Sequence, residues 1–163
     1  MGQTVEILTG KAELCRSIMG ALPDWFSEPE VIEASAQAVE ELPVFGYVEA
    51  DVVTAMIALK PHLPDAVEIA LIATRPEYHG HGAGRHLVDA AERFAQEAGA
   101  RLLTVKTLAP RGRDEPQFEA TRRFYDRTGF VKAEVFPKFW REDHPCLFMI
   151  KPLTDKQPGR TAL

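Results

Sequence analysis

The spacing of hydrophobic and polar positions along the chain changes several times, and each change predicts a new element. Helical spacing of apolar residues predicts helices over 11–22, about 27–42, 85–98 and 118–128. Apolar or alternating runs predict strands over 5–8, over 44–60 as two strands around a turn at 49–51, and over 67–74, 101–108, 130–136 and 146–153. The strand–helix–strand unit over 67–108 is most simply a right-handed parallel crossover.

Two boundary segments carry more specific expectations. Ser27 is predicted to cap the second helix, with Pro29 in its first turn and Glu30 three positions after the cap. Residues 137–145, which read "PKFWREDHP", are predicted to form an aromatic loop between the last two strands. The sequence therefore predicts a chain of alternating strands and helices with no internal repeat.

The segment "HGHGAGRHL" over 79–87 lies between an apolar strand and an amphipathic helix. Its glycines allow a tight turn and close approach to the main chain. The free N–H groups and the positive dipole end of the following helix favour an anion such as a pyrophosphate. A sharp turn that needs glycine only for packing is the alternative.

Other ligands fit this segment less well. His79, His81 and His86 stand among glycines with no further rigid ligand nearby, so no metal site is predicted. A Walker A loop requires a Lys-Ser/Thr pair that the segment lacks. A dinucleotide fold requires GxGxxG and an acid at the end of the next strand, whereas "RLLTVKTL" contains no acid.

Composition narrows the class of protein. The length of 163 residues suits a single domain, predicted over 1–153, followed by a polar tail over 154–163 that is expected to be flexible. The net charge of −5 argues against nucleic-acid binding. No apolar run reaches the roughly 18 residues of a membrane span, and no signal peptide is recognisable, so a cytoplasmic location without membrane association is expected. Cys15 and Cys146 are predicted to be reduced, packed thiols.

Two motifs together resemble those of the GNAT superfamily of N-acetyltransferases. "RPEYHGHGAGRHLVDAAE" is similar to its acetyl-CoA motif, roughly (R/Q)xxGx(G/A) after a central strand. "RRFYDRTGF" over 122–130 is similar to its Phe-Tyr-x-x-x-Gly-Phe helix end. The order of elements also matches over about residues 4–152. The sequence departs from the pattern at His79, where Arg or Gln is more usual, and at Phe118, where many members carry Asn.

The resemblance implies a fold and a cofactor. The expected fold is α/β (α+β), with a mixed, mostly antiparallel central sheet flanked by helices and one parallel strand–helix–strand unit at the acetyl-CoA motif. The expected cofactor is acetyl-CoA. The residues that the resemblance assigns to its binding are Ile72, Ala73, Thr74, His79, Gly80, His81, Gly82, Ala83, Gly84, Arg85 and Phe118.

Transfer of an acetyl group to an amine needs a base for the amine and a proton for the departing thiolate. Tyr125 is the candidate donor, because a phenol with a pKa near 10 is protonated at pH 7; a packed aromatic is the alternative. Glu68 is the candidate base, because a carboxylate in an apolar strand is costly unless it has a role or a partner. Regular alternation would place Glu68 on the same strand face as Ala70 and Ile72. The alternative for Glu68 is a structural contact with solvent, Lys or Arg.

The acceptor is not identified by the sequence. Trp25, Phe26 and Trp140 are predicted loop aromatics that could wall a substrate pocket, and Glu28 and Asp143 beside them could meet a cationic substrate. The predicted activity is transfer of acetyl from acetyl-CoA to a primary amine of a small molecule, peptide or protein. A non-catalytic acyl-CoA-binding regulatory module is the alternative, and a homodimer is compatible with either.

Overall fold

The computed structural model describes residues 2–154. Its helices are α1 (Lys11–Gly20), α2 (Pro29–Val39), α3 (Ala83–Glu97) and α4 (Pro116–Arg127), with a short 3-10 helix over Pro76–Tyr78. Its strands are β1 (Gln3–Glu6), β2 (Val44–Glu49), β3 (Val52–Pro61), β4 (Ala66–Thr74), β5 (Leu102–Leu108), β6 (Val131–Arg141) and β7 (His144–Pro152).

The strands form one seven-stranded sheet in the order β1-β2-β3-β4-β5-β7-β6. All neighbouring pairs are antiparallel except β4 and β5, which are parallel and are joined through α3. This is the predicted mixed sheet with a single parallel strand–helix–strand unit. Residues 155–163 of the predicted tail lie outside the described residues.

The two faces of the sheet carry separate apolar clusters. The α3-side core includes Leu59, Ile69, Leu87, Val105 and Tyr125. The α1-side core includes Cys15, Ile18, Val39, Met56 and Ala73, and it fills the space between the sheet and helices α1 and α2. Burial of both faces explains why β3 and β4 are apolar almost throughout rather than alternating.

Strand β4 contains a β-bulge at Ala70. Leu59 pairs with Ile69 and Ala58 pairs with Leu71, so Ala70 has no partner on β3. The extra residue shifts the alternation of side chains, and Ile72 packs with Ile69 on the α3-side core while Leu71 packs on the α1-side core. The expectation that Glu68, Ala70 and Ile72 share a face is therefore wrong, because it assumed regular alternation.

Strands β4 and β5 separate after their first four paired residues. Their parallel pairing ends at Ile69 opposite Val105. In contrast, β4 stays paired with β3 as far as Thr74, and β5 stays paired with β7 as far as Leu108. The sheet therefore opens into a V-shaped gap, and the edge of β4 beyond Ile69 has no strand partner on the β5 side.

Three predicted boundaries are wrong in informative ways. The expected aromatic loop over 137–145 is a continuation of β6 and β7, which turn at residues 142–143. Pro137 is tolerated because β6 is the edge strand, and Pro145 offers only its carbonyl, which accepts from Ala109 N–H at 2.9 Å.

The other two differences concern helix ends. Ser27 does not cap α2, because Pro29 starts the helix and Glu28 becomes the N-cap without a side-chain hydrogen bond. Helix α3 begins at Ala83 rather than Arg85, with Gly82 as its N-cap. The cap of α3 thus lies inside the glycine segment.

None of the helices over residues 2–154 is long and apolar enough to cross a membrane. Cys15 and Cys146 are free thiols, and both are buried.

Candidate active site

The gap between β4 and β5 opens into a cavity of about 760 Å³. The strands contribute Ile69–Ala73 from β4 and Val105–Leu108 from β5. Three further segments close it: the α1–α2 connection, the β5–α4 connection together with α4, and the turn end of the β6–β7 hairpin. Their lining residues include Asp24, Trp25, Phe26, Ser27, Glu28, Arg111, Glu115, Gln117, Phe118, Thr121, Tyr125, Trp140, Arg141 and His144.

Tyr125 lines this cavity from the last full turn of α4. Its ring is 4% exposed and lies edge-on to Phe124 and Phe130, with ring centroids 5.5 Å away in each case. Burial raises the pKa of the Tyr125 phenol above its ordinary value. The side chain is therefore a neutral hydroxyl at neutral pH, packed between two aromatic rings at the cavity wall.

The glycine segment forms the start of α3 at one end of the gap. Gly80 and Gly82 have φ values of 81° and 87°, a left-handed conformation that favours glycine. An added Cβ on either glycine would meet no atom within 4 Å, so the turn is open on its outer side. Because first-turn N–H groups have no partner within a helix, those of Ala83, Gly84 and Arg85 are available to an anion. This open turn fits the diphosphate of a CoA cofactor.

Gly84 serves a different purpose from the other two glycines. A Cβ at this position would lie 2.9 Å from Cε1 of Phe124. Glycine therefore lets α3 approach α4 closely, next to Tyr125.

The three histidines of the segment have separate surroundings. Nε2 of His79 donates to the carbonyl oxygen of Thr74 at 2.8 Å, and its ring lines the cavity. His81 lies 3.9 Å from a carboxylate oxygen of Glu49, and His86 stacks on Tyr47. Over residues 2–154, no group of three His, Cys, Asp or Glu side chains is arranged to hold a metal.

Glu68 lies behind the cavity rather than on its wall. It is 8% exposed, and its carboxylate contacts Nε2 of His62 at 2.7 Å and Nζ of Lys106 at 3.2 Å. Lys106 itself lines the cavity. Any exchange between Glu68 and a molecule in the cavity would therefore involve Lys106 or a water beside it.

Two ion pairs lie at the end of the cavity away from the glycine segment. Glu28 pairs with Arg141, which also contacts His144, so the start of α2 is tied to the β6–β7 hairpin. Glu115 accepts two hydrogen bonds from Arg111, at 2.9 and 2.8 Å. The neighbouring arginines lower the pKa values of both carboxyls. Burial, followed by the charges of Arg141 and Arg111, lowers the pKa of His144, so its imidazole is neutral at neutral pH.

The predicted pocket aromatics all border the cavity. Trp25 and Phe26 lie in the α1–α2 connection, whereas Trp140 lies at the end of β6 and not in a loop. Phe118 lies on the cavity wall in the first turn of α4. Asp143, a candidate contact for a cationic substrate, pairs instead with Arg113.

The structure thus brings most predicted site residues together. Tyr125, Phe118, Ile72, Ala73, His79 and the three aromatics share one cavity, whereas Thr74, residues 80–85 and Glu68 lie beside it. Sequence reasoning missed Lys106, Arg111, Arg141 and His144. Only Lys106 had a visible signal, as the one charge within the apolar run "LLTVKTL".

The sheet opens at its one parallel pair, beside a glycine turn and a helix N-terminus, which is the arrangement that the resemblance to acyl-CoA-dependent transferases predicts. The model of the acetyltransferase (GNAT) family matches residues 12–130. The chain therefore belongs to the GNAT acetyltransferase family, whose cofactor is acetyl-CoA. No curated protein sequence matches the chain significantly.

Several solved structures share the fold. An acetyltransferase of the GNAT family from Desulfovibrio desulfuricans superposes with a TM-score of 0.82 at 20% identity, over 94% of this chain and 100% of that one. The ribosomal-protein-S18-alanine N-acetyltransferase from Escherichia coli gives 0.76 at 17% identity, over 100% and 99%. A GNAT acetyltransferase from Elizabethkingia anophelis with acetyl-CoA bound gives 0.72 at 14% identity, over 93% and 98%.

Proposed function

We propose that this chain transfers the acetyl group of acetyl-CoA to a primary amine of a small molecule, peptide or protein. The observation that carries the proposal is the position of Tyr125, a buried phenol on the wall of the gap that leads from the glycine turn. The sequence predicts a cytoplasmic location, and a homodimer is compatible with the proposed activity.

The cofactor would be held by main-chain groups at two places. The N–H groups at the start of α3 and the turn at Gly80 and Gly82 would bind the diphosphate. The unpaired edge of β4 over 70–74 would offer N–H and C=O groups to the amide-containing arm. Nε2 of His79 already donates its hydrogen to the Thr74 carbonyl, so only the second ring nitrogen would be available to contact the cofactor. An arginine at this position would offer more than one N–H group.

When bound, acetyl-CoA supplies an activated acetyl thioester. Transfer forms a C–N bond and breaks a C–S bond, so the amine loses one proton and the departing sulfur gains one. Tyr125 is proposed to provide the proton for sulfur, because its neutral hydroxyl borders the gap. Glu68 is proposed to receive the proton of the amine, through Lys106 or a water beside it.

We take the end of the cavity that carries the two arginine–carboxylate pairs as the acceptor end, and its charges indicate which amines are suited to the cavity. Glu28 and Glu115 are already paired with arginines, and the charge of Lys106 is paired with Glu68. Among the described lining residues, Asp24 is the one carboxylate without an ion pair, so a polycation would have to displace these pairs to gain more than one carboxylate partner. We therefore expect amines with one positive charge and an apolar or aromatic body to be preferred over polycations such as aminoglycosides.

An amine panel tests the proposed function. Amino acids, arylalkylamines, short peptides, polyamines and aminoglycosides would each be incubated with acetyl-CoA, with CoA release and the acetylated product measured together. Turnover of at least one amine, with product, is expected. Tight binding of CoA without turnover of any amine in a broad panel would instead support a non-catalytic acyl-CoA-binding module.

A further inference from the structure

Trp25 connects the two walls of the gap. Its Nε1 lies 3.2 Å from the carbonyl oxygen of Gln117 and 3.1 Å from Oγ1 of Thr121, both on α4. The Thr121 hydroxyl donates to the same Gln117 carbonyl at 3.1 Å, which leaves its lone pairs free to accept from Trp25. On the other wall, the indole lies edge-on to His79, with ring centroids 5.6 Å apart.

This contact crosses from one side of the sheet to the other. Trp25 packs against the α1-side core, whereas α4 contributes Phe124 and Tyr125 to the α3-side core. The connection that carries Trp25 is also held to α4 through Asp24, whose carbonyl accepts from Nε2 of Gln117 at 3.4 Å. The indole therefore spans the gap where β4 and β5 have separated.

The cofactor arm would run next to this contact. Thr121 precedes Tyr125 by one helical turn, about 6 Å along the helix axis. His79 begins the glycine segment. A chain that runs from the start of α3 to Tyr125 passes His79 and then α4, which are the two groups that Trp25 joins, so the indole is placed to cover it.

We infer that Trp25 is a positioning residue that closes over the cofactor arm, and that its hydrogen bond to α4 holds the closed arrangement. The inference rests on the proposed function, because it takes the gap to be the cofactor channel. It also links the two ends of the cavity. The connection that carries Trp25 continues through Phe26 to Glu28, whose ion pair with Arg141 closes the acceptor end.

The test measures CoA binding rather than turnover. Trp25→Phe keeps an aromatic ring beside His79 but removes the N–H donor, and Thr121→Val keeps the shape of the acceptor side chain but removes its oxygen. Net loss of one hydrogen bond of about 0.5–1.5 kcal/mol corresponds to a factor of about 2 to 10 in Kd. We expect each variant to raise the calorimetric Kd for CoA by that factor, and the double variant to raise it by less than the product of the two single effects.

Thr128→Val is the matched control, because it removes a hydroxyl that donates to the Phe124 carbonyl at the end of α4 and Thr128 does not line the cavity, so its Kd should stay at the wild-type value. Trp140→Phe leaves Trp25 as the single tryptophan, and CoA should change the emission of this variant. An unchanged Kd in Trp25→Phe, or an unchanged emission on CoA binding, would overturn the inference.

A lower Kd in Trp25→Phe would overturn it as well, since Trp25 would then be a plug that the cofactor displaces. If wild-type protein binds no CoA at all, the proposed function fails instead, and the two failures are distinguishable. Thermal unfolding of each variant without CoA separates the effects, because a purely structural role would lower the Tm without changing the Kd of the folded protein.

Discussion

Replacement of Tyr125 by phenylalanine tests the proposed proton donor with a minimal change. The substitution removes one hydroxyl and keeps the ring contacts with Phe124 and Phe130. The Tyr125 hydroxyl makes no hydrogen bond to another described residue, so the substitution breaks none. Over residues 2–154, every side-chain N or O that is fully buried from solvent has a hydrogen-bond partner, so this unpartnered hydroxyl is not fully buried. The hydroxyl therefore reaches open cavity space, and we expect the free energy of unfolding to change by less than about 1 kcal/mol.

The expected kinetic effect is larger than the effect on stability. A general acid contributes about 10²- to 10⁴-fold, and a thiolate is a fairly good leaving group, so the lower end applies. A loss of about 100-fold in kcat corresponds to about 2.7 kcal/mol of transition-state stabilisation. The KM for acetyl-CoA should change little, because the hydroxyl acts mainly after the cofactor is bound.

The pH dependence provides a second readout. Burial raises the pKa of Tyr125, so the phenol keeps its proton as pH rises through the ordinary value near 10. Deprotonation of Tyr125 should therefore cause no fall in the wild-type rate up to about pH 10. Any fall on the basic side should be present in Tyr125→Phe as well. The assay is steady-state CoA release with the amine that the panel identifies.

Tyr47→Phe is a suitable control, since Tyr47 is also 4% exposed but does not line the cavity. Turnover of Tyr125→Phe at the wild-type rate would refute the reasoning and leave Tyr125 as a packing residue.

Four further predictions concern other parts of the site. Glu68→Gln should lower the rate at pH values below the pKa of the acceptor amine, and the rate should recover as the pH rises. The same variant should lower the free energy of unfolding by about 1–2 kcal/mol, because Lys106 loses its partner. The control Glu92→Gln breaks a similar pair with Lys151 away from the cavity and should leave the pH–rate profile unchanged, whereas a rate loss in Glu68→Gln that is equal at every pH would indicate substrate positioning instead. Gly82→Glu should have a Kd for CoA about 10-fold higher than that of Gly82→Gln, because both variants carry the same backbone strain at φ 87° but only the first adds a negative charge. Equal Kd values in the two variants would argue against a diphosphate at this turn. Gly84→Ala should lower stability by about 1 kcal/mol in a melting experiment, because overlap with Phe124 outweighs the gain in helix propensity, and an increased Tm would contradict this. Cys15 and Cys146 should react with a thiol reagent at pH 8 only after unfolding, because burial raises the pKa of Cys15 to about 11 and raises that of Cys146, and fast labelling of the native protein would contradict this.

The sequence was sufficient to predict the order of elements and the residues around the glycine turn. Their signals are local: apolar spacing for the strands and helices, and glycines at the positions of left-handed backbone. The two motifs gave the family, because Tyr125 and the turn have fixed places relative to the central strand. The family model that matches residues 12–130 confirms this prediction.

What the sequence could not predict depends on pairing between strands. The bulge at Ala70 follows from the register of β4 on β3, and no residue type at 70 indicates it. It separated Glu68 from the face of Ile72 and was the source of a wrong expectation. The extension of β6 to Arg141 was missed because Pro137 usually ends a strand, yet an edge strand tolerates it. With the hairpin missed, Arg141 and His144 could not be placed in the cavity.

Strand β6 has a consequence for the behaviour of the protein at high concentration. It is the outer strand of the sheet, eleven residues long and exposed on nearly all of them, with Val131, Val135 and Phe139 among its exposed apolar side chains. Such an edge is a template for aggregation through strand addition. Here Pro137 has no N–H to offer, the register with β7 is interrupted twice, and Lys132 and Lys138 bring charge to the edge. These features disfavour the growth of the sheet into fibrils, so the strand can stay long enough to carry Trp140 and Arg141 to the cavity.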